Sequence, residues 1–288
     1  MIPLPPDLEA KRNALLARLG AMPSVVVAFS GGVDSTLVAW AAHAALDRNA
    51  LAITADSPSV ARSEVRDARE LAAHIGIEHR FVQTAEFDNE DYRRNDGSRC
   101  YYCKSTLYDR ILAENFAVGT VVVSGANLDD MGDYRPGLTA AAERAVRHPL
   151  QEAGFTKRDV RALAAHLGLP NCDKPASPCL SSRLAPGVRA TVERTARIEA
   201  AEAFLKARGF VEFRVRLHEG ELARVEVALA DMPRLFADPL RSEMLETFAG
   251  LGFAFTTVDP AGFQSGGMNR LIPLSIRQKF SVPSGDAE

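Results

Sequence analysis

Hydrophobic and polar positions follow two alternating periods along the first half of the chain. The apolar run Val25-Val26-Val27-Ala28-Phe29 reads as a strand buried on both faces. It breaks into Ser30-Gly31-Gly32-Val33-Asp34-Ser35, after which Thr36 to about Ala45 takes up a helical pattern. A leading helix is predicted from Leu8 to Leu19, with Leu8, Leu15, Leu16 and Leu19 at helical spacing and Gly20 as its stop. Ala50 to Ala55 reads as a second strand, Ser63 to His74 as a helix ended by Gly76, and His79 to Val82 as a third strand. The polar stretch Asp88 to Arg99 is expected to be irregular. Cys100 opens a helix reaching Asn115, Thr120 to Val123 is a fourth strand running into Ser124-Gly125-Ala126-Asn127-Leu128-Asp129-Asp130, and Arg147 to Leu150 reads as a short fifth strand or its end. Thr156 to Leu167 is an amphipathic helix. Strand and helix in turn argue an α/β fold with a doubly wound, mostly parallel, Rossmann-like sheet, in which ligands bind beyond the carboxyl ends of the strands.

Between Leu169 and Gly187 four prolines break all periodicity, and the domain junction is expected there. Val192 to Arg208 then reads as a helix, followed by two alternating strands. In the first, Val211, Phe213, Val215 and Leu217 face one way and Glu212, Arg214, Arg216 and His218 the other; in the second, Val225, Val227 and Leu229 alternate with Arg224 and Glu226. Glu219-Gly220-Glu221 makes the hairpin turn, and a helix from Leu240 to Leu251 and a strand from Phe253 to Val258 complete a smaller α+β domain. The expected division is therefore 1–178 for the nucleotide-binding domain, 179–280 for an α+β domain serving substrate binding or oligomerisation, and 281–288 for a disordered tail.

Composition adds limits. The 288 residues are 47% hydrophobic and 25% charged, enough for a real core, and the net charge of −3 offers no electrostatic footprint for nucleic acid. With no long apolar run and no basic leader at the N-terminus, a cytoplasmic protein without membrane partners is expected, and its four cysteines should be reduced. A homo-oligomer is expected, with no motif to mark its interface. His43, His74, His79, His148 and His166 show no metal-ligand spacing.

The junction from Phe29 to Ser35 carries the first chemistry. Two glycines at a strand-to-helix turn let the backbone approach a ligand, and the unpaired first amides of the helix, with its dipole, attract phosphate. The turn lacks the lysine and the spacing of the Walker loop. The bland alternative is an ordinary βα turn whose glycines serve packing. Ser30 to Ser35 resembles instead the PP-loop of the ATP pyrophosphatases, which split ATP between its α and β phosphates.

Further motifs narrow the resemblance. Thr54-Ala55-Asp56-Ser57-Pro58, Arg99-Cys100-Tyr101-Tyr102-Cys103-Lys104, Gly125-Ala126-Asn127-Leu128-Asp129-Asp130, Pro175-Ala176-Ser177-Pro178-Cys179-Leu180-Ser181-Ser182-Arg183 and Ser265-Gly266-Gly267-Met268-Asn269 together resemble the LarE family. These are ATP-dependent sulfur transferases of nickel-pincer nucleotide biosynthesis, within the adenine nucleotide alpha-hydrolase-like superfamily. The likeness runs from about Leu15 to Pro273. It implies an enzyme that adenylates a carboxylate of pyridinium-3,5-biscarboxylic acid mononucleotide, releasing pyrophosphate with Mg²⁺ assistance, and then displaces AMP with sulfur to leave a thiocarboxylate.

Under that resemblance Ser30, Gly31, Gly32 and Ser35 hold pyrophosphate, Asp34 helps to hold Mg²⁺, and Ala28, Thr54 and Gly125 touch adenosine. Asp129 and Asp130 are either further Mg²⁺ ligands or helix caps. Cys179, in a Pro- and Ser-rich loop, is the candidate sulfur carrier, with Arg183 favouring its ionisation or binding phosphate; the alternative is a buried cysteine acting as a small hydrophobe. Cys100 and Cys103 alone are half a zinc site, a redox pair or chance. The family contains members with one sacrificial cysteine and members with the set Cys100, Cys103 and Cys179, so the set here favours a 4Fe-4S cluster with one open iron; Cys172 falls outside it. Arg214 and Arg216, two apart on one strand, either fork onto the phosphate or carboxylate of the substrate or form a solvated face paired with Glu212 and Glu226. The chain departs from the family at Gln264, where arginine is frequent.

Three competing readings remain at this level. An ammonia-dependent NAD synthetase would adenylate without needing cysteine, a tRNA thiolase would carry a basic RNA surface, and a regulatory module would bind ATP without turnover.

Overall fold

A computed structural model describes residues 3–131, 134–264 and 266–280. In chain order the elements are α1 (Pro6–Gly20), β1 (Ser24–Ala28), α2 (Val33–Leu46), β2 (Ala50–Asp56), α3 (Arg62–Ile75), β3 (Glu78–Gln83), α4 (Glu90–Arg94), α5 (Arg99–Leu112), β4 (Thr120–Val123), α6 (Pro136–Ala142), α7 (Pro149–Glu152), α8 (Lys157–His166), α9 (Val192–Ala207), β5 (Phe213–His218), β6 (Leu222–Val227), α10 (Met232–Phe236), α11 (Leu240–Gly250), β7 (Phe255–Val258) and α12 (Leu274–Lys279). They form two compact units. Of the described residues, one comprises 3–85, 100–131, 134–177 and 278–280; the other comprises 86–99, 178–264 and 266–277. The linear division at 178/179 therefore does not describe where the 86–99 stretch packs.

The first unit is a parallel sheet in the order β3-β2-β1-β4. Its central strand β1 is buried on both faces because alternate side chains feed two separate cores. Val25 and Val27 pack with Leu15 and Leu19 of α1, Leu37 and Val38 of α2, and Val160 and Leu163 of α8. Val26 packs with Leu107, Tyr108 and Ile111 of α5 on the opposite face. Helices thus cover both sides, and the β1–α2 loop emerges at the carboxyl edge.

Three local expectations change. Arg147 makes a single parallel bridge to Val123 rather than a fifth strand, because Pro149, with its fixed φ and missing N–H, starts α7 at once. The polar 88–99 stretch holds the short helix α4, nucleated by Asn89, whose side chain accepts from Asp91 N at 2.8 Å and Tyr92 N at 3.4 Å. Leu229 does not continue the alternation of β6; it lies in a 3₁₀ turn, 63% exposed.

In the second unit β5 and β6 run antiparallel and β7 joins β6 in parallel. Ile198, Ala201 and Leu205 of α9, Met244 and Phe248 of α11, and the inward residues Val215, Leu217, Val225 and Val227 of β5 and β6 are all buried. The expected tail, 281–288, lies outside the described residues.

Candidate functional site

The glycine loop is shaped before any ligand arrives. Gly31 has φ +72°, and a Cβ there would lie 3.2 Å from the Ala68 Cα of α3, so this position accepts only glycine comfortably. Gly32, at φ −75°, is extended and forms the N-cap of α2. Ser35 Oγ accepts from Ser30 N at 3.2 Å, lies 3.1 Å from Ser30 Oγ and donates to Gly32 O at 3.0 Å. From a separate loop, Asn171 Nδ2 donates to Gly31 O at 3.0 Å and to Thr36 Oγ1 at 2.9 Å. These bonds hold the first-turn amides of α2 at the sheet edge, where the helix dipole favours an anion. Asn171 was not foreseen, because its pairing joins residues 140 apart.

Gly125, expected to touch adenosine, is packed against the loop itself. A Cβ there would fall 2.6 Å from Ser35 N and 2.9 Å from the Asp34 carbonyl carbon. Its missing side chain is what lets the end of β4 seat the N-terminus of α2.

Asp34 is held on both oxygens. Asn127 Nδ2 donates to Oδ1 at 3.0 Å, and Lys157 Nζ donates to Oδ2 at 2.5 Å. Lys157 opens α8 behind the capping box of Thr156 and Asp159, a sequence signal that places its ammonium at a helix start but names no partner. Asp129 and Asp130 serve as caps: Asp129 accepts from Lys157 N, and Asp130 accepts from Asn127 N at 3.1 Å and pairs with Arg135 at 3.1 Å.

Thr54 is buried, its hydroxyl donating to Phe29 O at 2.7 Å and lying 2.8 Å from His79 Nε2. The donation to Phe29 O leaves the Thr54 oxygen to accept, which assigns the proton to His79 Nε2. Burial, with the Arg69 charge beside it, lowers the His79 pKa to about 4. Ala28 ends β1 as a core residue. Beyond β2 and β3, Asp56, Ser57, Pro58, Arg62 and Gln83 line an open cleft of about 320 Å³, the lower end of small-ligand pocket sizes. Arg62 (2.5 Å) and Gln83 (2.7 Å) hold Asp56 there, and the Arg62 hydrogen bond keeps its carboxyl below the usual range.

The second unit contains Cys179 and the three candidate arginines. Cys179 is half-buried at the N-cap of a 3₁₀ turn, Leu180–Arg183. Arg183 is buried and forks onto Glu202 at 3.0 and 3.2 Å. Arg216 is buried and paired to buried Glu226 at 3.1 and 3.0 Å, so β5 does not present it on a solvated face. Arg214 donates to Phe213 O at 2.7 Å and lies 5.1 Å over the Phe263 ring. Burial first, and then the neighbouring Arg183 charge, lower its pKa, while Glu202 and Glu226 act against the shift. Gln264 Oε1 accepts from Arg270 Nη2 at 3.2 Å, which brings a guanidinium to the position lacking the family's arginine.

Cys100 and Cys103 share one turn of α5 in the first unit, Cys100 exposed and Cys103 half-buried. Cys172 packs, half-buried, against the core of that unit. Among the described residues no three His, Cys, Asp or Glu side chains gather as a metal site, and no helix is long and apolar enough to cross a membrane.

A parallel sheet whose first strand turns through Ser-Gly-Gly-Val-Asp-Ser into a helix defines an ATP-using enzyme of the PP-loop class, and residues 9–101 match the family model described as asparagine synthase. An uncharacterized protein of Synechocystis, slr1717, is 44% identical over 92% of this chain and 99% of its own length. The pyridinium-3,5-bisthiocarboxylic acid mononucleotide synthase of Lactiplantibacillus plantarum is 38% identical over 91% of this chain and 95% of its own length. A tRNA-specific 2-thiouridylase of Azorhizobium caulinodans is 33% identical over 65% of this chain and 58% of its own. The chain belongs to the LarE family, that of the Lactiplantibacillus synthase.

Proposed function

We propose that this enzyme activates a carboxylate of pyridinium-3,5-biscarboxylic acid mononucleotide with ATP and replaces one carboxylate oxygen by sulfur. The carboxylate oxygen attacks the α-phosphorus, the bond from that phosphorus to the bridging oxygen breaks, and pyrophosphate leaves. Sulfur then forms a C–S bond to the acyl carbon as the C–O bond to AMP breaks. The observation that carries the reading is the preshaped loop with Asp34 at its helix start, in a chain 38% identical to a synthase of the corresponding bisthiocarboxylic product.

The amides of the loop and the hydroxyls of Ser30 and Ser35 grip the departing pyrophosphate, and Asp34 supplies a hard oxygen donor for the Mg²⁺ that neutralises its charge. Arg214 is the cation for the substrate phosphate, since Arg183 and Arg216 are paired to Glu202 and Glu226.

Cys179 is the sulfur site, and with Cys100 and Cys103 it makes the donor set a four-iron cluster takes. The three thiols fit such a cluster in kind, and when bound it would offer one open iron to carry sulfide. Protein purified anaerobically is expected to show iron–sulfur absorbance that is lost in Cys100→Ala. Colourless, iron-free and active protein would overturn the cluster and make Cys179 a consumed donor, recognisable by mass spectrometry as dehydroalanine after turnover. Absence of pyrophosphate release from ATP and the dicarboxylate would overturn the reading as a whole.

A further inference from the structure

Arg183 looks from the sequence like a cation offered to substrate, yet it is 4% exposed and its guanidinium faces into its own unit. Nη1 donates to Pro178 O, to Cys179 O at 2.9 Å and to Ser182 Oγ at 3.2 Å, while Nε and Nη2 fork onto Glu202. Glu202 on α9 also accepts from Val215 N of β5 at 3.2 Å, so one carboxylate ties two elements to the turn that follows Cys179.

The turn is held from other directions as well. The Cys179 carbonyl accepts from Ser182 N at 2.9 Å and from Ser182 Oγ at 2.7 Å. Ser181, fully buried, bonds the Tyr92 hydroxyl at 2.8 Å, and Arg216 Nη1 reaches Ser182 O at 3.3 Å. Tyr92 belongs to the 86–99 stretch, whose Asn95 Nδ2 donates to Ala185 O at 2.8 Å and Val188 O at 2.9 Å just downstream. The preceding residues 175–178 are exposed. A guanidinium carries five N–H donors in a fixed fork, and most of these are already spent on the turn and on Glu202. Turning it toward a phosphate would strip the largely buried Glu202 of its partner, an unfavourable exchange.

We propose that the Arg183–Glu202 pair is a clamp that positions the Cys179 thiol, Arg183 acting through the backbone of residues 178–182 and not as a substrate cation. Its weight in catalysis rests on the reading of Cys179 as the sulfur site.

The test is alkylation of the full-length protein by iodoacetamide, followed by peptide mass spectrometry, with Cys172 as internal reference. Glu202→Gln should raise the Cys179 rate about tenfold, the factor expected for losing one charge-assisted hydrogen bond. Ser182→Ala, a milder change, should raise it less. In both variants the thiolated product should fall while pyrophosphate release persists. Where Glu202→Gln fails to fold, Ser182→Ala decides alone. Unchanged Cys179 alkylation in the folded variants overturns the clamp, and so does a fall in pyrophosphate release that parallels the loss of product. Faster alkylation with undiminished product upholds the clamp and removes Cys179 from sulfur transfer, so the two readings fail separately.

Discussion

Gly125 offers the sharpest test of how the loop is built. Replacing it by alanine puts a Cβ 2.6 Å from Ser35 N and 2.9 Å from Asp34 C, against ordinary contact from 3.4 Å. The atoms it meets are backbone in the first turn of α2, so no side chain can swing aside. Either β4 or the start of α2 must retreat by most of an ångström. Overpacking of this kind costs about 1–3 kcal/mol, and for a body of this size about 2–4 °C of Tm per kcal/mol. The same retreat moves the amides proposed to grip pyrophosphate, where a misplacement of about 1 Å can cost about 10²-fold in rate. Gly32→Ala is the internal control, since its Cβ meets only Ser30 Oγ at 3.4 Å and its φ of −75° suits any residue. Thermal melts and pyrophosphate release should therefore separate the pair, Gly125→Ala losing both stability and turnover and Gly32→Ala keeping its Tm. A Gly125→Ala protein with wild-type Tm and pyrophosphate release would refute the close packing of β4 on α2.

Other outcomes follow from the same geometry. Asp34→Asn should abolish pyrophosphate formation while lowering stability by no more than about 1 kcal/mol, because its pair with Lys157 is partly exposed; circular dichroism melts and a pyrophosphate assay check both. Arg216→Ala should destabilise the protein in urea unfolding, by less than the about 3 kcal/mol of a fully orphaned buried charge because Arg224 still pairs with Glu226, and Arg214→Ala should raise the KM for the nucleotide substrate. His79 is held neutral in the fold, with its pKa lowered to about 4 from 6.5. The unfolded chain therefore binds the extra proton first, so its contribution is complete above pH 6.5 and is lost as pH falls toward 4. Tm against pH over that window should slope less in His79→Gln, which keeps a donor for Thr54.

The parts legible in the sequence are those specified by neighbours along the chain. Val25 to Ala28 is apolar without a break because β1 is central, and the turn that follows needs glycine at Gly31, whose φ is positive; both facts are local, and so are the starts of α8 and α9 at Thr156 and Thr191. The hydrophobic pattern likewise indicated the parallel sheet and a smaller α+β domain, while the parallel pairing of β7 with β6 came from the tertiary structure. What only the tertiary structure decided is how polar side chains spend their donors. Arg183, Arg214 and Arg216 look equivalent in sequence, yet Arg183 and Arg216 pair with Glu202 and Glu226 while Arg214 donates to Phe213 O and lies over the Phe263 ring. Asp129 and Asp130 accept capping hydrogen bonds, while Asn127, Lys157 and Asn171 arrived at the loop from 93, 123 and 140 residues away. A hydrogen bond depends on angstrom-scale placement between distant segments, and no period or motif along the chain encodes that distance.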